Sequence, residues 1–272
     1  LETPAEGPGP QAVLGNLDKC FIATSFLKLI CYKLLKSVII PFMNLNSSLF
    51  PVITIDGPCG AGKGEISQRL AQEKGWHLLE SGAIYRILAL VAKRAEVASD
   101  DVDHLTHLAD SLNVQFIVTP DNRIDVLLDG ESVGDAIRTQ EISNLASKIS
   151  VFPQVRKALF ARQRTFRKAP GLIAEGRDMG TVVFPDAQVK IFLTASLEER
   201  AKRRYQQLLE KGMAVKLSDL VEELSERDVR DQQRKTAPMQ AAEDAVTIDT
   251  TLLTIDQVMD RIREVVNKKL GG

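Results

Sequence analysis

Residues 57–64 read Gly-Pro-Cys-Gly-Ala-Gly-Lys-Gly, a run able to wrap main-chain N–H groups around phosphate oxygens. Glycines let the backbone turn so that successive N–H groups point inward. A helix beginning there adds its positive end, and Lys63 adds a mobile charge for β- and γ-phosphates. The run matches the first seven positions of G-x-x-x-x-G-K-[ST] and departs at the eighth, where Gly64 stands in place of a hydroxyl residue. Glu65 follows. A carboxylate so near the phosphates repels them unless it points away or helps to hold Mg²⁺. The metal is therefore expected to be held mainly through water and ATP oxygens. Cys59 reads as a small residue filling a tight turn, not as a nucleophile.

Phosphoryl transfer asks the protein for positioning and positive charge more than for covalent chemistry. Arginine suits the task because its planar fork holds phosphate bidentately. Arg86 lies in SGAIYR (81–86), Arg177 in EGRDMG (175–180), Arg200, Arg203 and Arg204 in EERAKRR (198–204), and Arg227, Arg230 and Arg234 in SERDVRDQQR (225–234). The run EERAKRR reads equally as a solvated helix face with i,i+4 pairs. Arg177 is different: charge just after a buried strand is costly without a partner. Glu175 either holds a Mg²⁺-bound water or pairs with a buried arginine. No general base is evident, and this chemistry requires none.

The elements that must position these groups begin at Pro51. VITI (52–55), HLLE (77–80), LIAEG (172–176), VKIFLT (189–194) and AVTID (245–249) read as buried strands. Helices are predicted over 62–73, 83–95, 101–112 (capped by Ser99 or Asp100), 139–150, 153–168, 196–211, 216–233 and 255–268. VQFIV (114–118) and IDVLLDG (124–130) form a predicted hairpin turning at Pro120-Asp121-Asn122. Strand–helix alternation predicts an α/β fold whose parallel sheet is covered by helices on both faces. In such a sheet the carboxyl ends of the strands face the ligand crevice, where Arg86 and Arg177 would sit near the phosphate loop.

Composition excludes several classes. The chain has 272 residues, 44% apolar and 26% charged, with a net charge of −1. No global basic field exists for nucleic acid or a membrane surface, and any phosphate site depends on locally placed cations. Cys20, Cys31 and Cys59 show neither C-x-x-C spacing nor nearby His clusters, which disfavours a disulfide framework or zinc site and fits a reducing cytoplasm. Residues 20–43 are apolar but carry Lys28, Lys33 and Lys36, which argues against a spanning helix. Glu2, Glu6 and Asp18 argue against a signal peptide, and an amphipathic surface helix is the remaining structural reading. The preferred expectation is that residues 1–42 are upstream or artefactual sequence, since the chain does not start with Met and Met43 lies eight residues before Pro51. Residues 1–50 are thus set apart as an extension from a domain spanning 51–272.

PVITIDGPCGAGKGE, LLESGAIYR, IRTQEIS, GLIAEGRDMGTVVFPDA, KIFLTAS and ERDVRDQQR, in this order and spacing, resemble bacterial cytidylate kinase over about residues 51–268. A GKG ending followed by Thr marks monophosphate kinases, so Glu65 departs from that pattern. The resemblance implies a P-loop three-layer fold with an acceptor-binding insert at about 82–160, a small antiparallel sheet near 113–133, and a short lid at about 196–216. It implies transfer of the ATP γ-phosphoryl to CMP or dCMP, with Mg²⁺; a monomer is a separate expectation, on which the motifs are silent. Gly57, Pro58, Cys59, Gly60, Ala61, Gly62, Lys63, Gly64 and Glu65 match the ATP phosphate site, and Arg200, Arg203 and Arg204 the lid over ATP. Arg86, Arg177 and Arg234 match arginines on the acceptor phosphate. Ser147, Arg156 and Asp178 match contacts to cytosine, Arg227 and Asp231 the sugar-binding pair, and Ser81 the acceptor pocket. Lys63, Arg177, Arg86 and Arg234 would be the catalytic group. A P-loop switch or ATPase, or a kinase for UMP or AMP, are the alternatives.

Overall fold

A computed structural model describes residues 50–119, 124–210 and 212–271. The expectations for residues 1–49, with Cys20 and Cys31, and for the turn at Pro120–Asn122 fall outside these. Among the described residues no helix is long and apolar enough to cross a membrane.

Five parallel strands form the central sheet: β1 (Val52–Asp56), β2 (His77–Glu80), β6 (Leu172–Gly176), β7 (Val189–Thr194) and β8 (Val246–Asp249). Their order is β2-β6-β1-β7-β8. β1 pairs with β6 from Val52↔Leu172 to Asp56↔Gly176. The first residues after β1 and β6, Gly57 and Arg177, therefore emerge side by side at the same edge.

Alternation along the strands separates two cores. Val52, Leu79, Leu172 and Ala174 face one side, against helix α2 (Ser81–Arg94) and its neighbours. Ile53, Ile55, Leu78, Ile173, Ile191 and Leu193 face the other, against α1 (Lys63–Lys74) and α8 (Ile255–Leu270). Each fully buried Ile or Leu contributes about 1.5–3 kcal/mol. These strands are apolar on both faces because both are covered, as a parallel sheet requires.

Between β2 and β6 lie α2, α3 (Val102–Ser111), a small antiparallel sheet, α4 (Gln140–Ile149) and α5 (Pro153–Arg164). The small sheet orders β3 (Val114–Val118), β4 (Ile124–Leu128) and β5 (Glu131–Ser132) consecutively. The predicted second strand ends two residues early. Asp129 and Gly130 have φ of 52° and 89°, the left-handed pair that makes a tight hairpin turn, and β5 follows. The cap of α3 is Asp101, whose carboxylate accepts the His104 N–H at 3.2 Å. This corrects the expectation of Ser99 or Asp100: with several capping residues in a row, propensity does not choose among them.

The segment expected as a lid, about 196–216, holds α6 (Leu197–Glu210), one arm of a helical pair whose other arm is α7 (Leu217–Gln232). Ala201, Leu208, Leu220 and Leu224 pack between its arms, with Cys59 and Tyr205 at the margin.

Candidate active site

The phosphate loop is shaped by close approaches that exclude side chains. Gly57 has φ of 142°, and a Cβ there would lie 2.0 Å from the Leu193 carbonyl oxygen. Gly62 caps α1 in the left-handed region, at φ 91°, where an L side chain is strained. Lys63 is the first helical residue and is buried; its Nζ donates to the Pro58 carbonyl oxygen at 2.8 Å. Burial and the neighbouring Arg177 hold Lys63 down to about 8, against the pull of Glu175 and Cys59. For the Cys59 thiol, burial works upward, but Arg227, Arg177 and Lys63 outweigh it and hold the thiol below its ordinary value.

Glu65 is half-exposed at the loop end of the cleft, with its carboxylate drawn along α1 to a cation. Its carboxylate accepts from Arg69 Nε at 2.6 Å, and Arg69 also reaches Asp256 at 2.9 Å. Between the two sequence-based alternatives, pointing away is the one the structure adopts. Arg69 is thus what keeps this negative charge off the phosphate cradle. Arg69→Ala is expected to weaken ATP binding about threefold at low salt, and Glu65→Gln in the same background to restore it. Titration calorimetry at two ionic strengths checks this, and an unchanged Kd for ATP would remove Arg69 from the role.

The loop opens onto a cleft of about 1170 Å³. Cys59, Gly60, Gly62, Lys63, Gly64 and Glu65 line one end; Ser81, Arg86, Ser147, Arg156, Arg177, Asp178, Arg227, Asp231 and Arg234 line the rest. Arg203 and Arg204 also line it, Arg203 donating to the Thr250 carbonyl oxygen at 2.6 Å and Arg204 to Gln140 at 3.3 Å. Arg200 differs from the other two and corrects the expectation of three lid arginines meeting ATP. It is buried behind the loop, bonded to the carbonyls of Ala195 and Cys59 at 3.1 Å each and to Asp228 at 2.6 Å. Packing of α6 against the loop at Gly60, where a Cβ would come 2.9 Å from Arg200 Cβ, turns this one arginine inward.

On the far side, Arg177 Nε donates to Asp231 at 2.9 Å. Burial opposes ionisation of Asp231, but Arg177, Arg234 and Arg227 outweigh it and hold the carboxyl below its ordinary value. Arg156 and Asp178 form a buried ion pair, with the guanidinium 5.6 Å from the centroid of the Tyr85 ring. Arg86 lies 3.7 Å from Glu80, and burial pulls both Arg86 and Arg234 below their ordinary values.

Several buried polar atoms in this cleft lack a hydrogen-bond partner: Arg86 Nε, Arg227 Nε, Arg234 Nη2, Ser147 Oγ, Tyr85 Oη and Glu175 Oε2. Such atoms are costly and uncommon. All of these residues line one cavity, and most of the orphans are donors, so the arrangement suits a polar anion.

Tyr85, Glu80 and Gln163 also belong to the site or its support, beyond the residues expected from the motifs. Gln163 accepts the Ser81 hydroxyl at 2.8 Å and buries both groups. Tyr85, pushed up to about 12 chiefly by burial, stays neutral below that. Tyr85 was legible, as it sits one residue before Arg86 in a helix whose face turns to the cleft; Gln163, 82 residues from its partner, carried no local signal.

The cytidylate kinase family model matches residues 53–268. The chain belongs to the cytidylate kinase family. A cytidylate kinase of Aeromonas salmonicida is 56% identical over 221 residues, covering 81% of this chain and 96% of its own. One from a Marinomonas species is 55% identical over 212 residues, covering 78% and 93%. One from Salmonella arizonae is 54% identical over 225 residues, covering 83% and 99%. This cytidylate kinase family member thus matches its relatives over nearly their whole length, and the matched stretch contains the phosphate loop and the cleft.

Proposed function

We propose that the chain transfers the γ-phosphoryl group of ATP to CMP and dCMP, giving ADP with CDP or dCDP. The observation that carries the reading is the set of buried, partnerless donors facing the phosphate loop across one cleft: Arg86 Nε, Arg227 Nε, Arg234 Nη2 and Ser147 Oγ. Family membership and relatives named cytidylate kinase support it. An oxygen of the acceptor phosphate attacks the γ-phosphorus in line, the bridging P–O bond breaks, and ADP leaves with its electron pair. No proton need move.

In this reading Gly57–Gly64 and Lys63 hold the ATP phosphates, Arg203 and Arg204 close over them, and Arg200 braces the loop from behind. Arg86, Arg177 and Arg234 hold the acceptor phosphate. Arg227 and Asp231 take the sugar, Ser81 closes the pocket wall, and Ser147, Arg156 and Asp178 read cytosine. Residues 82–160 serve as the acceptor-binding insert and 196–216 as the lid. A monomer is the acting unit in this reading, and a reducing cytoplasm suits the Cys59 thiol.

Mg²⁺ is implied by the chemistry, and the residues present fit it. The ion would be held mostly by phosphate oxygens and water, with few carboxylates. Glu175 Oε2 is buried without a partner and lies 3.8 Å from where a Cβ on Gly64 would be, which supports a role for it in accepting from a metal-bound water. When bound, the ion would neutralise charge on the β- and γ-phosphates.

Lys63 sets an upper pH limit. Its charge is present below about 8 and lost above it, so kcat/KM for ATP, which reports the free enzyme, is expected to fall as pH rises through that value. A profile flat to pH 9.5 would contradict this. The reaction itself is tested by coupled ADP release with and without CMP. Release that depends on CMP is expected; release indifferent to CMP would favour a nucleotide-hydrolysing switch.

A further inference from the structure

Arg177 and Asp178 enter the cleft on an irregular segment. Met179–Val183 form a single π-helical turn, closed by bonds from Val183 N to Asp178 O at 3.2 Å and Phe184 N to Met179 O at 2.7 Å. Such turns are rare and do not hold themselves. The first N–H groups of the turn have no carbonyl within it, and Met179 and Gly180 are buried. Both N–H groups donate to one side chain: Met179 N to Asp56 Oδ1 at 2.9 Å and Gly180 N to Asp56 Oδ2 at 2.8 Å.

Asp56 is the last residue of β1, and the next residue, Gly57, opens the phosphate loop. Alternation puts Thr54 on the same face. A Cβ on Gly180 would lie 2.9 Å from Thr54 Oγ1 and 3.4 Å from Asp56 Oδ2, so only glycine lets the turn sit this close to the strand. At its other end the turn is held by Arg164 of α5, which donates to the Val183 carbonyl oxygen at 2.7 Å.

We propose that Asp56 is a positioning residue whose ionised carboxylate clamps the Arg177–Asp178 turn onto the strand that launches the phosphate loop, registering the donor and acceptor halves of the cleft. The consequence for CMP rests on the function proposed above; the clamp itself does not. A carboxylate suits the task because it offers an acceptor to each of two N–H groups, whereas a protonated carboxyl turns one oxygen into a donor.

The charge state is finely balanced. Burial pushes Asp56 up to about 7; the Gly180 and Met179 N–H groups pull down, Asp178 pushes up and Lys63 pulls down. Lys190 of β7 also flanks the turn, with its ammonium engaged by Asp244 at 2.9 Å. The clamp is therefore complete above about pH 7 and loosens as pH falls through it.

Amide hydrogen exchange at Met179 and Gly180, in the unsubstituted protein and in Asp56→Asn at pH 8, tests this without nucleotide. Asn offers one acceptor, so exchange at these two positions is expected to quicken by about 10- to 100-fold. Calorimetry should show CMP binding weakened about tenfold with ATP binding nearly unchanged. The ratio of Kd for CMP at pH 6 to that at pH 8 should be larger in the unsubstituted protein than in Asp56→Asn, a comparison in which titration of CMP itself cancels. Unchanged exchange together with equal ratios would overturn the proposal. Should Asp56→Asn not fold, the unsubstituted protein decides: the two amide proton shifts are expected to titrate together near pH 7, and shifts flat from pH 6 to 8 would overturn it. Failure of the unsubstituted protein to bind CMP would overturn the proposed function alone, because exchange and shifts report the clamp directly.

Discussion

Arg177→Ala is expected to lower kcat by about 10²- to 10³-fold while ATP binding survives. The guanidinium stands where the two halves of the cleft meet. It leaves β6 beside the start of the phosphate loop, ion-pairs with Asp231 on α7 at 2.9 Å, and lies close enough to Lys63 and Glu175 to influence both. In the proposed function this cation lies between donor and acceptor phosphates and would act on the charge shared by both during transfer. In the proposed function ATP is held by main-chain N–H groups and Lys63, which this substitution leaves in place, so its Kd should remain near the unsubstituted value. Steady-state kinetics with a parallel measurement of ATP binding checks the split. A normal kcat in this variant would remove Arg177 from the chemistry.

Asp178→Asn is expected to erode the preference for CMP over UMP by about 10- to 100-fold. A carboxylate accepts from the cytosine 4-amino group, whereas uracil presents an oxygen there. Asn carries both an acceptor and a donor in nearly the same shape, so it can satisfy either base. The ion pair with Arg156 makes this position structural as well. Side-chain exposures of 8% and 4% leave both partners buried, and removing one partner of such a pair altogether costs about 3–5 kcal/mol. Asp178→Ala is therefore expected to lose stability as well as selectivity, which is why Asn gives the cleaner reading. The checking measurement is the ratio of kcat/KM for the two acceptors. An unchanged ratio would take Asp178 out of base recognition.

What could be read from the residues follows how local the cause is. The strands at 77–80, 172–176 and 189–194 have the bounds expected of them, because short apolar runs bounded by Ser81-Gly82, Gly176 and Ala195-Ser196 leave little freedom. Arg86 and Arg177 could be placed on the cleft because strand ends in a parallel sheet share one edge. By contrast, EERAKRR looks uniform along the chain, and only the packing of α6 on Gly60 decides that Arg200 is buried while Arg203 and Arg204 line the cleft. The outward turn of Glu65 depends on Arg69, one helical turn away, and on Asp256, 187 residues from Arg69. The π-helical turn at Met179–Val183 has no periodic signature, and the carboxylate that holds it lies 123 residues earlier. Residues whose role is to place others are the ones that a reading of motifs passes over.

The proposed function assigns the acceptor side of this cleft to a cytidine monophosphate. Initial rates with CMP, dCMP, UMP and AMP, at one fixed ATP concentration and with Mg²⁺ present, test it most directly. CMP and dCMP are expected to be phosphorylated far faster than UMP or AMP, despite Glu65 beside the loop. Comparable rates with UMP or AMP, or ADP release equal in all four and in the absence of any acceptor, would contradict it.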